Sequence, residues 1–192
     1  MPENTQYYTY LLSRSRFGYL YRNYWLYPRL TKRLKGFTLD VGCGIGDMLA
    51  FRPGTIGTDI NRQTVDYCLQ RGLKAKQMSA DVLPFANATF DSVLLDNVME
   101  HIENPSPLLK EVRRVLKVEG SLLVGIPGER GWSTDPDHKV AYSEFSLIER
   151  VEDNGFKHVE SFFTPLGKSS WLSKHLRQYC IYTSYINWPK KS

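Results

Sequence analysis

Short apolar segments alternate with amphipathic segments along the middle of the chain. Apolar runs bounded by Gly, Pro or Asn predict buried parallel strands, whereas residues 108–117 place their apolar side chains on one face of a helix. Because strand and helix alternate, the pattern predicts an α/β fold with a mainly parallel sheet and helices on both faces. The predicted strands are residues 37–41, 55–59, 74–78, 90–95, 121–126, 156–164 and 178–186.

The predicted helices cover the polar and amphipathic segments between these strands. We expect one domain, residues 1–192, which is long enough to bury a core without a disulfide or a structural metal. Within it, residues 1–36 are expected to form a helical segment that covers and packs on a core of residues 37–192. The helices are predicted over 7–34, 47–51, 62–71, 105–117 and 143–154, with a loop at 127–142.

A glycine-rich turn follows the first predicted strand, in the segment Leu39-Asp-Val-Gly-Cys-Gly-Ile-Gly-Asp47. Glycines at alternate positions let the backbone turn tightly and approach a ligand closely. The spacing G-x-G-x-G differs from the dinucleotide pattern G-x-G-x-x-G, and no Lys-Ser or Lys-Thr follows to form a P-loop. An acid before the turn suits a cationic ligand that carries an amino acid. The alternative is a purely structural turn between strand and helix.

Two further acids follow predicted strands. Asp59 ends the second strand, where a carboxylate can accept hydrogen bonds from both hydroxyls of a ribose. The alternative is that Asp59 caps the next helix, a role that Asn61 can fill instead. After the third strand, Asp81 can accept from an adenine amino group while Val82 offers its backbone N–H. The alternative for Asp81 is a position in an ordinary loop.

These segments resemble the class I S-adenosylmethionine-dependent methyltransferases with the methyltransferase type 11 pattern. The resemblance also includes residues 108–117 and the segment Phe90-Asp-Ser-Val-Leu-Leu-Asp-Asn-Val-Met-Glu-His-Ile102. The resemblance covers about residues 37–127. It implies a Rossmann-like three-layer sandwich, a seven-stranded sheet with an antiparallel last strand, and S-adenosylmethionine as cofactor. One departure is the short span after Gly46, which predicts a trimmed first helix. The resemblance assigns cofactor binding to Asp40, Gly42, Gly44, Gly46, Asp59, Ile60, Asp81, Val82 and Asn97.

Two histidines are candidates for the chemical step. His101 lies beyond the fourth predicted strand and can act as a base, or it can orient its own loop. His138 lies in the loop 131–139, where Asp135 or Asp137 can orient its ring while it accepts a proton from an acceptor hydroxyl. The alternatives for that loop are a divalent ion on the two acids and His138, or a solvated turn. We predict no metal site.

The two ends of the chain are basic and aromatic. Net charge is +6 over residues 1–36, −6 over 37–160 and +5 over 161–192, and the first and last segments hold nine and seven aromatic residues. Such ends can form a lid over the acceptor, bind nucleic acid, rest on a membrane beside a lipid-linked substrate, or pack on the sheet. We favour a lid that also packs. A nucleic-acid acceptor is not expected, because no Asn-Pro-Pro-aromatic string stands at 96–99 and no Pro-Cys pair occurs.

The expected function is O-methylation of a small molecule or glycan by direct displacement. The proline-glycine after the fifth strand and the 131–139 loop are similar to methyltransferases of bacterial surface-polysaccharide synthesis. An RNA methyltransferase and a non-catalytic cofactor-binding protein are the alternatives. Scattered Cys43, Cys68 and Cys180 predict reduced thiols and a cytoplasmic location, in line with the absence of a signal-peptide pattern and of an apolar run of about 20 residues.

Overall fold

A computed structural model describes residues 8, 9, 11, 12 and 15–188. Residues 1–7, 10, 13 and 14, which include the start of the predicted N-terminal helix, lie outside the described residues, as do residues 189–192. Seven strands form one sheet in the order β3-β2-β1-β4-β5-β7-β6. The strands are β1 (Thr38–Val41), β2 (Ile56–Asp59), β3 (Ala75–Gln77), β4 (Phe90–Asp96), β5 (Leu116–Pro127), β6 (Phe156–Thr164) and β7 (Cys180–Asn187).

The sheet confirms the predicted fold class. Strands β1 to β5 pair in parallel, whereas β7 is antiparallel to both of its neighbours, β5 and β6. No helix in the described part of the chain is long and apolar enough to cross a membrane. The helices are α1 (Arg16–Tyr21), α2 (Tyr27–Thr31), α3 (Asp47–Phe51), α4 (Arg62–Gln70), α5 (Ser106–Val115), α6 (Glu129–Trp132), α7 (Glu144–Glu152) and α8 (Ser170–His175).

The two faces of the sheet bury separate sets of side chains, as the alternation along each strand requires. In β4, Val93 and Leu95 belong to the larger core, which contains residues of α5 and α7. Leu94, between them, points to the opposite face and packs with Tyr27 and Leu30 of α2. The central strands are therefore apolar on both faces, which produces the continuous apolar runs seen in the sequence.

Residues 16–31 form one nearly continuous helical segment, the N-terminal rod. Between α1 and α2 a π-helical turn, Arg22–Leu26, closes with the N–H of Tyr27 donating to the carbonyl of Arg22. Pro28 follows at the start of α2, where a missing N–H is tolerated. One side of the rod is buried on the sheet, whereas Phe17 and Tyr24 on the other side remain 84% and 77% exposed.

The structure differs from the sequence expectation at three places. Helix α5 ends at Val115, and β5 begins directly at Leu116 rather than at residue 121. The Glu119-Gly120 pair lies within β5, at an irregularity where the register with β4 shifts, so it is not a turn between two elements.

Helix α6 occupies part of the predicted 127–142 loop. Helix α8 was not predicted, and no residue of its six is buried. The trimmed first helix is confirmed, since α3 has five residues.

Candidate cofactor and acceptor site

A cavity of about 510 Å³ opens beyond the carboxyl ends of β1 and β4. Ligands of open α/β sheets bind at this edge. Its wall is built from five parts of the chain: the glycine turn, the end of β4, the segment after β5, residues 177–182 at the start of β7, and the N-terminal rod. Of the residues predicted for the site, Asp40, Gly42, Gly44, Asn97, His101 and His138 line this cavity.

The glycine turn has a left-handed backbone at Gly42, Gly44 and Gly46, with φ of +76°, +53° and +78°. Side chains other than glycine are disfavoured there. A Cβ at Gly42 would lie 2.6 Å from the Val98 methyl group, and one at Gly46 would lie 2.8 Å from the Cys68 sulfur. Gly46 therefore packs against α4 and is not part of the cavity wall.

Asp40 is the most unusual group of the cavity wall. It is 5% exposed, and no described residue donates a hydrogen bond to its carboxylate. Burial raises its pKa well above the usual range, and the nearby carboxylates of Asp96, Asp59 and Asp47 raise it further. A buried carboxylate without a donor is costly to ionise alone and is therefore suited to a cationic partner.

Asp59 connects the glycine turn with the start of α4. Its Oδ2 accepts from the Gly44 N–H at 2.9 Å, and its Oδ1 accepts from the Asn61 N–H at 2.8 Å. Asn61 caps α4 by accepting from the Gln63 N–H at 2.9 Å. A carboxylate offers about four lone-pair sites, so these bonds leave the ribose role of Asp59 as a prediction beside a structural one.

Ile60, Asp81 and Val82 are predicted to bind the cofactor but lie outside the cavity wall. Ile60 and Val82 are 58% and 57% exposed, and Asp81 is exposed as well. The Val82 N–H lies 3.4 Å from the Ser79 carbonyl oxygen. The structure therefore does not bring Ile60, Asp81 and Val82 into one enclosed pocket with Asp40, and their roles stay predictions.

The N-terminal rod supplies several cavity residues that were not assigned from sequence, among them Tyr21 and Arg22. The Arg22 Nε lies 3.3 Å from the Asp47 Oδ2, which places a guanidinium beside the glycine turn. The hydroxyl of Tyr21 is buried and has no hydrogen-bond partner among the described residues. Leu11 lies over the turn, because a Cβ at Gly44 would approach its Cδ1 to 3.2 Å. The sequence predicts that Arg22 lies in a helix, but it does not show that this helix packs beside the glycine turn.

At the end of β4, two polar residues are fixed by neighbouring strands. The Tyr182 hydroxyl donates to the Asp96 Oδ1 at 2.8 Å, and burial raises the pKa of that hydroxyl well above its usual range. Asn97 adopts a left-handed backbone with φ of +56°, and its N–H donates to the Gly125 carbonyl at 3.0 Å. Asp96 and Tyr182 also line the cavity and were not assigned from sequence.

His101 and His138 meet in the cavity wall, with ring centroids 4.7 Å apart. The Nδ1 of His138 lies 2.8 Å from the Trp132 carbonyl oxygen, and the Nδ1 of His101 lies 3.3 Å from the Asp137 carbonyl oxygen. A carbonyl only accepts, so each Nδ1 carries the hydrogen in the neutral ring and each Nε2 keeps its lone pair. Burial, and then the neighbouring His138, lower the pKa of His101.

Glu100 lies behind the two histidines and is 1% exposed. Neither carboxylate oxygen has a hydrogen-bond partner among the described residues, and burial raises its pKa to about 8. Its Oε1 is 3.8 Å from the His138 Nε2, and the Asp135 Oδ2 is 3.9 Å from the same nitrogen. The backbone carbonyl of Trp132, rather than a carboxylate, thus orients the His138 ring.

The sheet order, the glycine turn after β1 and the buried acid at its start define the fold of the class I methyltransferases. Residues 39–124 match the family model described as Methyltransferase domain. Residues 39–124 are thus similar to the class I S-adenosylmethionine-dependent methyltransferases, and the sheet shares their fold. This similarity implies S-adenosylmethionine as the cofactor.

Individual relatives support the same family. A demethylmenaquinone methyltransferase of Lactobacillus johnsonii is 31% identical over 62% of this chain and 54% of its own length. A probable S-adenosylmethionine-dependent methyltransferase of Mycolicibacterium smegmatis is 29% identical over 73% of this chain and 62% of its own length. The chain thus spans less than two thirds of either relative. A methyltransferase structure from Thermotoga maritima, described as a possible histamine N-methyltransferase, shares the fold at a TM-score of 0.76 and 18% identity, covering 97% of this chain and all of that one.

Proposed function

We propose that this protein transfers the methyl group of S-adenosylmethionine to a hydroxyl of a small molecule or glycan by direct displacement. One observation carries the proposal: a single cavity joins the buried Asp40, to which no described residue donates a hydrogen bond, to the Nε2 lone pair of His138. The first group suits a cationic donor. The second is able to accept a hydroxyl proton.

The donor side of the cavity fits S-adenosylmethionine by the chemistry of its groups. Asp40 would accept from the ammonium of the methionine part, and Arg22 would pair with its carboxylate. The open backbone at Gly42 and Gly44 allows close approach to this part of the ligand. The cofactor supplies the electrophilic methyl group. The remaining assigned contacts are Asp59 to the ribose, Asp81 and Val82 to the adenine, and Asn97 to the region near the sulfonium. Ile60 is assigned to cofactor binding without a particular part of the cofactor.

On the acceptor side, His138 holds the acceptor hydroxyl and receives its proton at Nε2. The hydrogen bond from Nδ1 to the Trp132 carbonyl fixes the required tautomer. His101, edge-on to this ring, positions it. Displacement needs a nucleophile held in line and close, so most of the rate enhancement comes from placement of the acceptor beside the methyl group.

The choice of a small acceptor rests on the size of the cavity, about 510 Å³. The N-terminal rod forms part of the wall through Tyr21 and Arg22, which supports its role as a lid within a single domain. An acceptor of the surface-polysaccharide kind, and one linked to a lipid, are included in the proposal on the likeness of the 131–139 loop and the basic ends. The free thiols of Cys43, Cys68 and Cys180 support a cytoplasmic reaction.

Calorimetric titration with S-adenosylmethionine tests the donor assignment. We expect one equivalent to bind, and an absence of binding at millimolar cofactor would overturn the proposal. Methyl transfer is then measured with methyl-labelled cofactor and a panel of hydroxylated small molecules and oligosaccharides. Labelled RNA, with retention measured across a salt series, tests the alternative acceptor.

The His138→Ala variant tests the base. We expect turnover to fall about 10²- to 10⁴-fold, while cofactor affinity stays within about twofold. The matched control is His175→Ala, because His175 lies on α8 and bonds only to the Trp171 carbonyl and stacks on its ring. Full turnover in His138→Ala would reject the base assignment and leave the donor assignment intact.

A further inference from the structure

We propose that Glu100, His101 and His138 form a binding site for one divalent transition-metal ion in the acceptor wall of the cavity. The position of the site beside the acceptor rests on the proposed function, but the site itself rests on the geometry of these three side chains. They offer one carboxylate oxygen and two imidazole nitrogens, and the three ligand atoms lie within 4.8 Å of one another. No other group of three His, Cys, Asp or Glu residues among those described comes this close.

The first independent observation is that the Glu100 carboxylate is buried without a hydrogen-bond partner among the described residues. Its side chain is 1% exposed, and neither oxygen receives a hydrogen bond from any described residue. Buried polar atoms in folded proteins nearly always have a partner, and an orphaned carboxylate costs free energy. The nearest polar atom is the His138 Nε2, 3.8 Å from Oε1, which is too long for a hydrogen bond. A cation between the two would give both groups a partner.

The second observation is the tautomer of the two histidines. Histidines that bind a metal usually donate their other ring N–H to a backbone carbonyl or a carboxylate, which fixes the ring and increases its basicity. Here Nδ1 of His138 points to the Trp132 carbonyl at 2.8 Å, and Nδ1 of His101 points to the Asp137 carbonyl at 3.3 Å. Both rings therefore already hold the tautomer in which Nε2 is able to bind an ion.

The backbone keeps the two ligand segments together. The N–H groups of Lys139 and Val140 both donate to the carbonyl of Glu100, at 2.8 and 3.0 Å. The loop that carries His138 is thereby attached to the turn that carries Glu100 and His101. Binding requires only that the side chains approach, because metal bonds of about 2.0–2.1 Å place tetrahedral ligand atoms roughly 3.3 Å apart.

The ligand set indicates the class of ion. Two imidazoles and one carboxylate suit Zn²⁺, Fe²⁺, Co²⁺ or Ni²⁺, whereas Ca²⁺ and Mg²⁺ prefer oxygen ligands only. Three protein ligands leave at least one coordination position for water or an acceptor oxygen. His101 and His138 line the cavity, so that position faces the acceptor. Because Nε2 of His138 has one lone pair, His138 is the base of the proposed function only in the metal-free protein. In the metal-bound protein, the ion itself would lower the pKa of an acceptor hydroxyl bound to it.

The test is metal binding by untagged protein that has been treated with a chelator and dialysed. Titration with Zn²⁺ should give one equivalent, and Co²⁺ should give the visible absorption of a site that contains imidazole. Glu100→Gln and His138→Ala should each weaken binding at least tenfold. His158→Ala is the matched control and should bind normally, since His158 lies on β6 against Ser161. No binding, or equal binding in all four proteins, would overturn the site.

Cofactor binding, measured on the same samples, separates this inference from the proposed function. If S-adenosylmethionine binds and no metal does, the site is refuted and the methyltransferase proposal stands. If the metal binds and the cofactor does not, the metal site stands and the methyltransferase proposal is refuted. Thermal unfolding of Glu100→Gln verifies that the variant is folded, which we expect because the change removes a buried ionisable group without changing its size. Metal binding by Glu100→Gln as tight as by the wild type would contradict the assignment of Glu100.

Discussion

The donor and acceptor sides of the cavity are built in different ways. On the donor side, Asp40, Gly42 and Gly44 lie within five consecutive residues. The N–H of Gly42 donates to the Thr58 carbonyl, and the N–H of Gly44 donates to the Asp59 carboxylate. On the acceptor side, the ligand groups come from parts of the chain that are distant in sequence and meet only through tertiary packing. The donor is therefore specified by a local motif, which a sequence displays, whereas the acceptor depends on contacts that only the folded chain brings together.

The largest expected effect tests whether hydrogen bonds from backbone N–H groups to the Asp59 carboxylate hold the donor side in place. Replacing Asp59 by Ala removes the acceptor for the buried N–H groups of Gly44 and Asn61. Unpaired buried groups cost about 1–3 kcal/mol each, so we expect the free energy of unfolding to fall by about 2–5 kcal/mol, together with cofactor affinity. Urea unfolding measures the first and calorimetry the second. Lost affinity with unchanged stability would instead assign Asp59 to the ribose alone.

The second prediction separates stability from binding at Asp40. Its pKa is raised in the folded protein, so ionisation destabilises the fold as pH rises through that folded-state pKa. We expect Asp40→Asn to raise the thermal midpoint at neutral pH while lowering cofactor affinity roughly 10- to 100-fold, since a hydrogen bond to a charged group contributes about 1.5–3 kcal/mol. Asp66→Asn, at the exposed pair with Arg62, is the control. A lower thermal midpoint for Asp40→Asn would contradict the assigned pKa direction.

The same pKa direction predicts proton release when the cofactor binds. The carboxyl of Asp40 must lose its proton to pair with an ammonium, so affinity should fall as pH decreases. Calorimetry in two buffers of different ionisation enthalpy measures the released proton. The wild type should release more protons than Asp40→Asn, and equal release by the two proteins would place the titrating group elsewhere.

The third change acts on the acceptor side alone. A Cβ at Gly131 would lie 2.8 Å from the Arg177 carbonyl oxygen and 3.0 Å from the Pro127 Cβ. Because one of these atoms belongs to the backbone, Gly131→Ala must shift the segment that carries His138, at a cost of about 1–3 kcal/mol. We expect lower turnover with cofactor affinity unchanged within about twofold. An equal loss of cofactor affinity would show that the two sides are not independent.

The smallest effect is expected on the outer side of the N-terminal rod. Phe17 and Tyr24 are mostly exposed, so Phe17→Ser with Tyr24→Ser should change the free energy of unfolding by no more than about 0.5 kcal/mol and leave cofactor affinity unchanged. A loss of transfer to a lipid-linked acceptor alone, measured in vesicles, would assign this surface to acceptor delivery. Reduced cofactor affinity would show instead that the rod contributes to the donor side.

The sequence predicts the central strands β4 and β5 because they contain apolar runs that are buried on both faces, and it predicts the glycine turn because the motif is contiguous. It does not predict α8, whose six residues bury nothing, or the start of β5, where the chain passes through an irregularity at Glu119-Gly120. In the site, Tyr182 is missed because its contact with Asp96 joins strands far apart in sequence. Glu100 is missed as a metal ligand because the sequence does not show that its carboxylate is buried without a hydrogen-bond partner among the described residues.

The position of β7 has a consequence for how the protein is made. This strand is synthesised last of the seven, yet it lies between β5 and β6, and it contributes Tyr182 to the cavity. During translation, β6 therefore has no neighbour in the sheet until β7 emerges, although the segments of the donor side are already available to fold. A ribosome-bound chain that ends before residue 180 would possess the glycine turn without a completed cavity, so the proposed methyl transfer would begin only after β7 has been inserted.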